Sequence, residues 1–168
     1  MRCIVFGTGS IGTRHIENLI SLGIEVEAIS YRADKTFLKK YKNINVKINT
    51  IEEKLNFSKF DFVIIANETH LHIKTALMAL KNGCHVFIEK PLSLDTKGIF
   101  KLKKLSKETK KIVKVGFMLR YHPNLKFIKN LIKNNNLGKI LYIKATVGQN
   151  LSQWRTNYDF KKGYSINK

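Results

Sequence analysis

Short runs of unbroken apolar residues alternate along this chain with longer stretches whose apolar positions recur every three or four residues. "RCIVF" (2–6) is brief, β-branched and continuous, the pattern of a strand buried on both faces of a parallel sheet. From Ser10 to Leu22 the positions Ile11, Ile16, Leu19 and Ile20 keep helical spacing, and Gly23 supplies a stop. "EVEAIS" (25–30) reads as the next strand, and a short helix around 34–41 leads to another in "INVKI" (44–48). "FDFVIIA" (60–66) is a strongly buried strand. Thr69 is placed to cap the helix that follows, through Ile73, Ala76, Leu77 and Leu80 to Gly83. "CHVFIE" (84–89) is a strand, residues 95–110 a lysine-rich helix, and "KIVKVGF" (111–117) the sixth strand.

That rhythm predicts βαβ units: an α/β fold with a doubly wound parallel sheet of the Rossmann type over residues 1–118. After residue 118 the rhythm changes. Pro123 opens a helix with Leu125, Ile128 and Ile132 on one face, and "NNNLG" (134–138) ends it. "KILYIKATVGQN" (139–150) reads as a long strand, and the last eighteen residues close no element. Residues 119–168 are therefore expected to be the start of an α+β second domain that this chain does not complete.

Composition narrows the class. Hydrophobic residues make up 43% of the 168, with 10 Phe and 6 Tyr, enough to bury a core. No run approaches the ~20 apolar residues of a membrane span. Gly, Ser, Arg, His and Glu break any signal-peptide core in residues 1–20. A soluble, cytoplasmic protein is expected. Cys3 and Cys84 stand beside apolar runs with neither C-x-x-C nor zinc spacing, which suits reduced core thiols.

The net charge of +19, from 31 Lys and Arg against 12 Asp and Glu, raises the question of a nucleic-acid partner. The excess is nearly all Lys, spread from residue 35 to 168, and Asn and Ile are similarly abundant, as an AT-rich genome would produce. In "KLKKLSKETKK" (101–111) Leu102 and Leu105 turn inward at helical spacing, and no aromatic residue is interleaved for stacking on single strands. Nucleic-acid binding ranks last among the readings.

Candidate chemistry begins with "GTGSIG" (7–12). Gly7, Gly9 and Gly12 follow a buried strand and enter an amphipathic helix, the context that gives G-x-G-x-x-G its meaning. Gly7 permits the tight turn, Gly9 lets a pyrophosphate approach the backbone, and Gly12 lets helix and strand pack closely. With Ser10 and Ile11 they form a candidate dinucleotide loop at a helix N-terminus, where N–H groups and dipole favour phosphate. In NAD-binding folds an acid ~20 residues further on holds the ribose 2′-OH. Here Ser30, Tyr31 and Arg32 occupy the strand tip, and the nearest acid, Asp34, lies in the following loop. A hydroxyl and an arginine suit the 2′-phosphate of NADP. NAD is the alternative, with Arg32 then stacked on the adenine or turned to solvent.

A second signal is "HVFIEKPLS" (85–93), a strand ending in Glu-Lys-Pro. With "GTGSIGTRH" at the start, "ANETHLH" (66–72), "GFMLRYHP" (116–123), "LGKI" (137–140) and "QWR" (153–155), the chain resembles the glucose–fructose oxidoreductase and inositol dehydrogenase family (Gfo/Idh/MocA) along nearly its whole length. The resemblance implies that Lys90 is the catalytic-site lysine, near a nicotinamide and a substrate hydroxyl. A lysine at the carboxyl end of a central strand does sit in the crevice where open α/β sheets bind ligands. The alternative is a surface lysine paired with Glu89. Pro91 admits a cis peptide that would aim Lys90. By the same resemblance Asn67, His72, Glu89 and Arg120 join the cofactor side, with His122 near the nicotinamide or substrate. Glu68 stands where that family's loop commonly has proline. Trp154, Arg155 and Tyr164 either line the substrate side or simply pack. His70 and His72 suggest a metal only superficially, since no further ligand spacing joins them, and none is expected.

The family's second domain contributes an Asp and a His beside the lysine, and a sheet that forms homo-oligomers. Here Asp159 is the only acid after Glu108 and no histidine follows His122, so that pair is expected beyond Lys168. Three functions follow. One is an NAD(P)-dependent oxidoreductase acting on a sugar, amino-sugar or sugar-nucleotide hydroxyl, of which this chain is an incomplete part. The second is a nucleotide-binding remnant or regulatory module, and the third a basic nucleic-acid binder.

Overall fold

A computed structural model of the chain describes residues 1–30, 35–48, 55–148 and 150. The chain divides into two compact units, Met1–Arg120 and Tyr121–Lys168. The first holds six strands, β1 (Arg2–Phe6), β2 (Glu25–Ser30), β3 (Asn45–Ile48), β4 (Phe62–Ile65), β5 (His85–Ile88) and β6 (Val113–Val115). Between them run α1 (Ser10–Ser21), α2 (Lys35–Lys40), α3 (His72–Lys81) and α4 (Ile99–Thr109). The strands form one sheet in the order β3-β2-β1-β4-β5-β6, and every pairing is parallel. The chain starts at the centre, winds outward to β3, then returns to β4 beside β1. This reversal parts the loops after β1 and β4 and leaves a crevice at the strands' carboxyl ends.

Alternation along the strands explains why they read as unbroken apolar runs. Ile4 and Phe6 of β1 join Ile65, Val86 and Ile88 beneath Ala76, Ala79, Leu80 and Leu102 of α3 and α4. Cys3 and Val5 point the other way, onto Ala28 and Ile64 under Ile16 and Leu19 of α1 and Phe37 of α2. Both faces are covered, so a polar residue on either would lose water without gaining a partner. On α1 the spacing divides unevenly: Ile16 and Leu19 are buried, whereas Ile11 and Ile20 are exposed. Leu102 turns inward and Leu105 packs partly against the same core, as their spacing requires.

Edges differ from the sequence reading where hydrogen bonding overrides composition. Thr69 does not cap α3. It is buried in a 3-10 turn (Thr69–Leu71), and α3 starts at His72 with no side-chain cap. The lysine-rich helix begins at Ile99 rather than 95. Asp95 Oδ1 accepts from the Lys97 amide at 2.8 Å, and Gly98 (φ +79°) precedes the first turn, so residues 95–98 form a local turn instead. A Cβ on Gly98 would also meet Ile73 Cγ2 at 2.6 Å.

In the second unit α5 (Pro123–Lys133) starts on Pro123 as expected, but none of its residues is buried. The strand expected over 139–150 does not form among the described residues, for no neighbouring strand there offers its amides and carbonyls a ladder. No helix of the described residues is long and apolar enough to cross a membrane.

Candidate dinucleotide and lysine site

The glycine loop is built by close approach. Gly7 has φ +97°, and a Cβ on it would lie 2.5 Å from the Ala66 carbonyl oxygen, so β1 and β4 touch across their ends. A Cβ on Gly12 would lie 1.9 Å from the Gly7 carbonyl oxygen, which fixes the first turn of α1 directly on the loop. Gly9 is different: nothing lies within 4 Å of where its Cβ would stand. The protein's own packing does not demand a glycine there, and the open space suits a ligand approaching the backbone. Gly9 is also the N-cap of α1, with no side-chain cap and no acidic residue in the first turn. The amides of Ser10, Ile11 and Gly12 have no helical acceptor, so they and the helix dipole present an uncommitted positive end. These residues fit the pyrophosphate of a dinucleotide.

Ser30 ends β2 and is buried, its hydroxyl 2.7 Å from that of Thr8. Thr13 Oγ1 in turn donates to the Thr8 carbonyl oxygen at 3.1 Å. Ser30 thus ties the loop to β2. Tyr31, Arg32 and Asp34 lie outside the described residues, as do Trp154, Arg155, Asp159 and Tyr164.

On the far side of the strand-order reversal, β5 carries the Glu-Lys-Pro corner. The Glu89 amide donates to the Ile65 carbonyl oxygen at 2.9 Å, extending the β4–β5 ladder one residue past the strand. Lys90 is exposed at the strand's carboxyl end. The Lys90–Pro91 peptide is cis. Glu89 does not pair with the Lys90 ammonium, the alternative the sequence left open. Its Oε1 lies 2.8 Å from Nε2 of His15 on α1, and its Oε2 accepts from the Lys90 backbone amide at 3.3 Å.

His72 is 2% exposed. Its Nδ1 lies 2.9 Å from the Pro91 carbonyl oxygen and its Nε2 3.1 Å from that of Asn67. Each ring nitrogen therefore faces a main-chain acceptor, which makes this histidine a brace between the loops after β4 and β5. Asn67 Nδ2 reaches Thr75 Oγ1 at 3.5 Å. His70 is exposed and lies 3.5 Å from Glu68, and no group of three or more His, Cys, Asp or Glu converges among the described residues. Arg120 sits in the 3-10 turn after β6, its guanidinium 5.8 Å from the centre of the Phe117 ring. His122 is the N-cap of α5 in the second unit.

The glycine loop, Ser30, Asn67, Glu89 and Lys90 all gather at the carboxyl ends of the central strands. Three participants were not assigned a role from sequence: Thr8, His15 and Gly116. Gly116 continues the ladder beyond β6, and a Cβ on it would meet the Glu89 carboxylate at 3.1 Å. A separate groove of about 740 Å³, lined by Met1, Phe60, Phe62, His85 and Lys114 among others, lies by the amino ends of the strands.

A six-stranded, doubly wound sheet with an open glycine-loop helix start defines a dinucleotide-binding Rossmann unit. The chain belongs to the oxidoreductase family with NAD-binding Rossmann fold, Gfo/Idh/MocA, which it matches over residues 1–117. It is similar to the myo-inositol 2-dehydrogenase of Thermotoga maritima, 28% identical over 152 residues, covering 87% of this chain and 45% of that protein. It is 31% identical over 151 residues to the scyllo-inositol 2-dehydrogenase (NAD(+)) of Bacillus subtilis, covering 86% of this chain and 44% of the relative. Among solved structures, myo-inositol 2-dehydrogenase from Lactobacillus plantarum superposes with a TM-score of 0.75 at 26% identity, covering 84% of this chain and 43% of the other. The chain spans less than half the length of these relatives.

Proposed function

We propose that this chain is the cofactor-binding part of an NAD(P)-dependent oxidoreductase acting on a hydroxyl of an inositol, sugar, amino sugar or sugar nucleotide. The observation that carries the proposal is the placing of an uncommitted α1 N-terminus and a lysine two residues past β5 on the two sides of the reversal between β1 and β4. The names of the inositol dehydrogenases it resembles support the substrate class. Their greater length leaves room for a partner half that completes the substrate wall and, as the family resemblance implies, an oligomer interface. Two buried thiols with no disulfide fit a reducing compartment, the cytoplasm.

The amides of Ser10, Ile11 and Gly12 bind the pyrophosphate, and Gly9 keeps the approach clear. Thr8 and Ser30 hold the loop against β2. Asn67 and the Lys90–Pro91 corner, braced by His72, would line the nicotinamide side of the crevice. A bound nicotinamide supplies a carbon that accepts or returns a hydride. Lys90 Nζ takes the proton of the substrate hydroxyl as its carbon becomes a carbonyl, and returns it in the reverse direction. Arg120, in the turn after β6, would approach the substrate or the nicotinamide. Ser30 is engaged by Thr8, so discrimination between the cofactors falls to Arg32, whose charge favours the 2′-phosphate of NADP over NAD.

Titration with NADPH and NADH tests the reading. Arg32→Ala should weaken NADPH more than NADH, and equal losses reject the preference for NADP. The second reading, a nucleotide-binding module without catalysis, is favoured by the family match, which covers only the NAD-binding Rossmann part over residues 1–117. Turnover of candidate polyols that disappears in Lys90→Ala separates the enzyme from the module.

A further inference from the structure

Glu89 and Lys90 are chain neighbours of opposite charge at the mouth of the crevice. A lysine on its flexible four-carbon stem pairs readily with a carboxylate left free beside it. Here that carboxylate is already held on three sides. His15 Nε2 lies 2.8 Å from Oε1, the Lys90 backbone amide donates to Oε2 at 3.3 Å, and the bare Cα of Gly116 leaves a slot that a Cβ would fill at 3.1 Å. Both side chains are largely withdrawn from water, His15 at 19% exposure and Glu89 at 13%. The His15 ring is itself fixed edge-on to Phe87 of β5, with ring centres 5.4 Å apart. Helix α1, which opens on the phosphate loop, thus reaches across to the lysine corner through one side chain.

We infer that His15 is a positioning residue for Lys90: by holding the Glu89 carboxylate in the Gly116 slot, it keeps that carboxylate off the Lys90 ammonium and leaves the amine available to a substrate hydroxyl. This rests on the reading of Lys90 as the lysine of the active site. Without His15 the carboxylate swings out and captures the ammonium. A neutral amide at position 89 cannot do so, and this gives the idea a signature that simple loss of packing does not share.

The test is the rate at which acetic anhydride acetylates Lys90 in the whole chain without cofactor, measured by mass spectrometry and normalised to Lys103 on α4. His15→Leu should slow Lys90 about threefold, the scale of one solvent-accessible ion pair. His15→Gln, which retains a donor at the position of Nε2, should keep the parent rate. Adding Glu89→Gln to His15→Leu should restore it. Should His15→Leu fail to fold, His15→Asn, whose shorter amide does not reach Glu89, replaces it. An unchanged rate in the single variant, or a slow rate that Glu89→Gln does not restore, overturns the inference. No cofactor is present in the assay, so a failure here is distinct from a failure to bind dinucleotide.

Discussion

Gly12 packs so closely on Gly7 that a Cβ at position 12 would lie 1.9 Å from the Gly7 carbonyl oxygen, whereas the same atom on Gly9 would meet nothing within 4 Å. The two glycines are therefore needed for different reasons. Gly12→Ala must push the start of α1 off the loop and should cost about 2 kcal/mol or more of stability. Gly9→Val loses only some N-cap preference and should cost no more than about 1 kcal/mol. Urea unfolding of the two variants measures the contrast, and the opposite order would contradict it.

Nδ1 and Nε2 of His72 lie within hydrogen-bond distance of the Pro91 and Asn67 carbonyl oxygens while the ring is almost wholly buried. Truncation to alanine leaves a cavity and carbonyls without their partner, so His72→Ala should lose about 3 kcal/mol in urea unfolding. A loss below about 0.5 kcal/mol, the size of an ordinary surface substitution, would show that the brace bears no strain of the fold.

Glu17 on α1 accepts from Lys40 Nζ at 2.8 Å and from the Tyr41 hydroxyl at 2.5 Å. The bond from Lys40, then that from Tyr41, holds the Glu17 carboxyl below its ordinary 4.5, and the same pairing with Glu17 lifts the Lys40 ammonium above its ordinary 10.5. A depressed carboxyl contributes stability that is complete above its unfolded value and lost as pH falls through the folded one. A raised ammonium contributes stability that is complete below its unfolded value and lost as pH rises through the folded one. The stability gap between the parent and Glu17→Gln should therefore be flat between these limits and close below pH 4.5 and above pH 10.5. Both groups meet solvent, so the gap is small. Melting temperature against pH for both chains checks it, and a gap that widens in acid would contradict it.

Burial pushes the Cys3 thiol far above its ordinary 9.0, and it raises Cys84 in the same sense. Only the thiolate attacks a disulfide reagent. In mildly alkaline buffer the native chain should leave such a reagent unreacted, and urea should release both thiols. Fast reaction of either thiol in the folded chain would contradict their place in the core.

The doubly wound sheet was legible because β1 and β4 are buried on both faces, which leaves unbroken apolar runs along the sequence. The glycine loop was legible because its spacing is a local signature between a strand and a helix start, and Gly12 closes on Gly7 only five positions back. What escaped depends on partners remote in the chain. His15 and Glu89 stand 74 positions apart, and only the β1–β4–β5 neighbourhood brings them together. Gly116 looked like one more residue of a strand until the carboxylate beside it gave the missing side chain a reason. The strand expected over 139–150 failed for the converse cause. Alternating side chains make a segment suitable for a sheet, but a ladder needs a neighbour, and the described residues supply none.

The central claim is that uncommitted main-chain amides at the start of α1 grip a dinucleotide's pyrophosphate. Calorimetric titration of the parent chain and of Gly9→Val with NADH and NADPH tests it most directly. Micromolar binding by the parent, weakened at least about tenfold in a variant that unfolds at nearly the parent's urea concentration, is the expected result. Equal affinity in the two chains, or no binding by the folded parent, would contradict it.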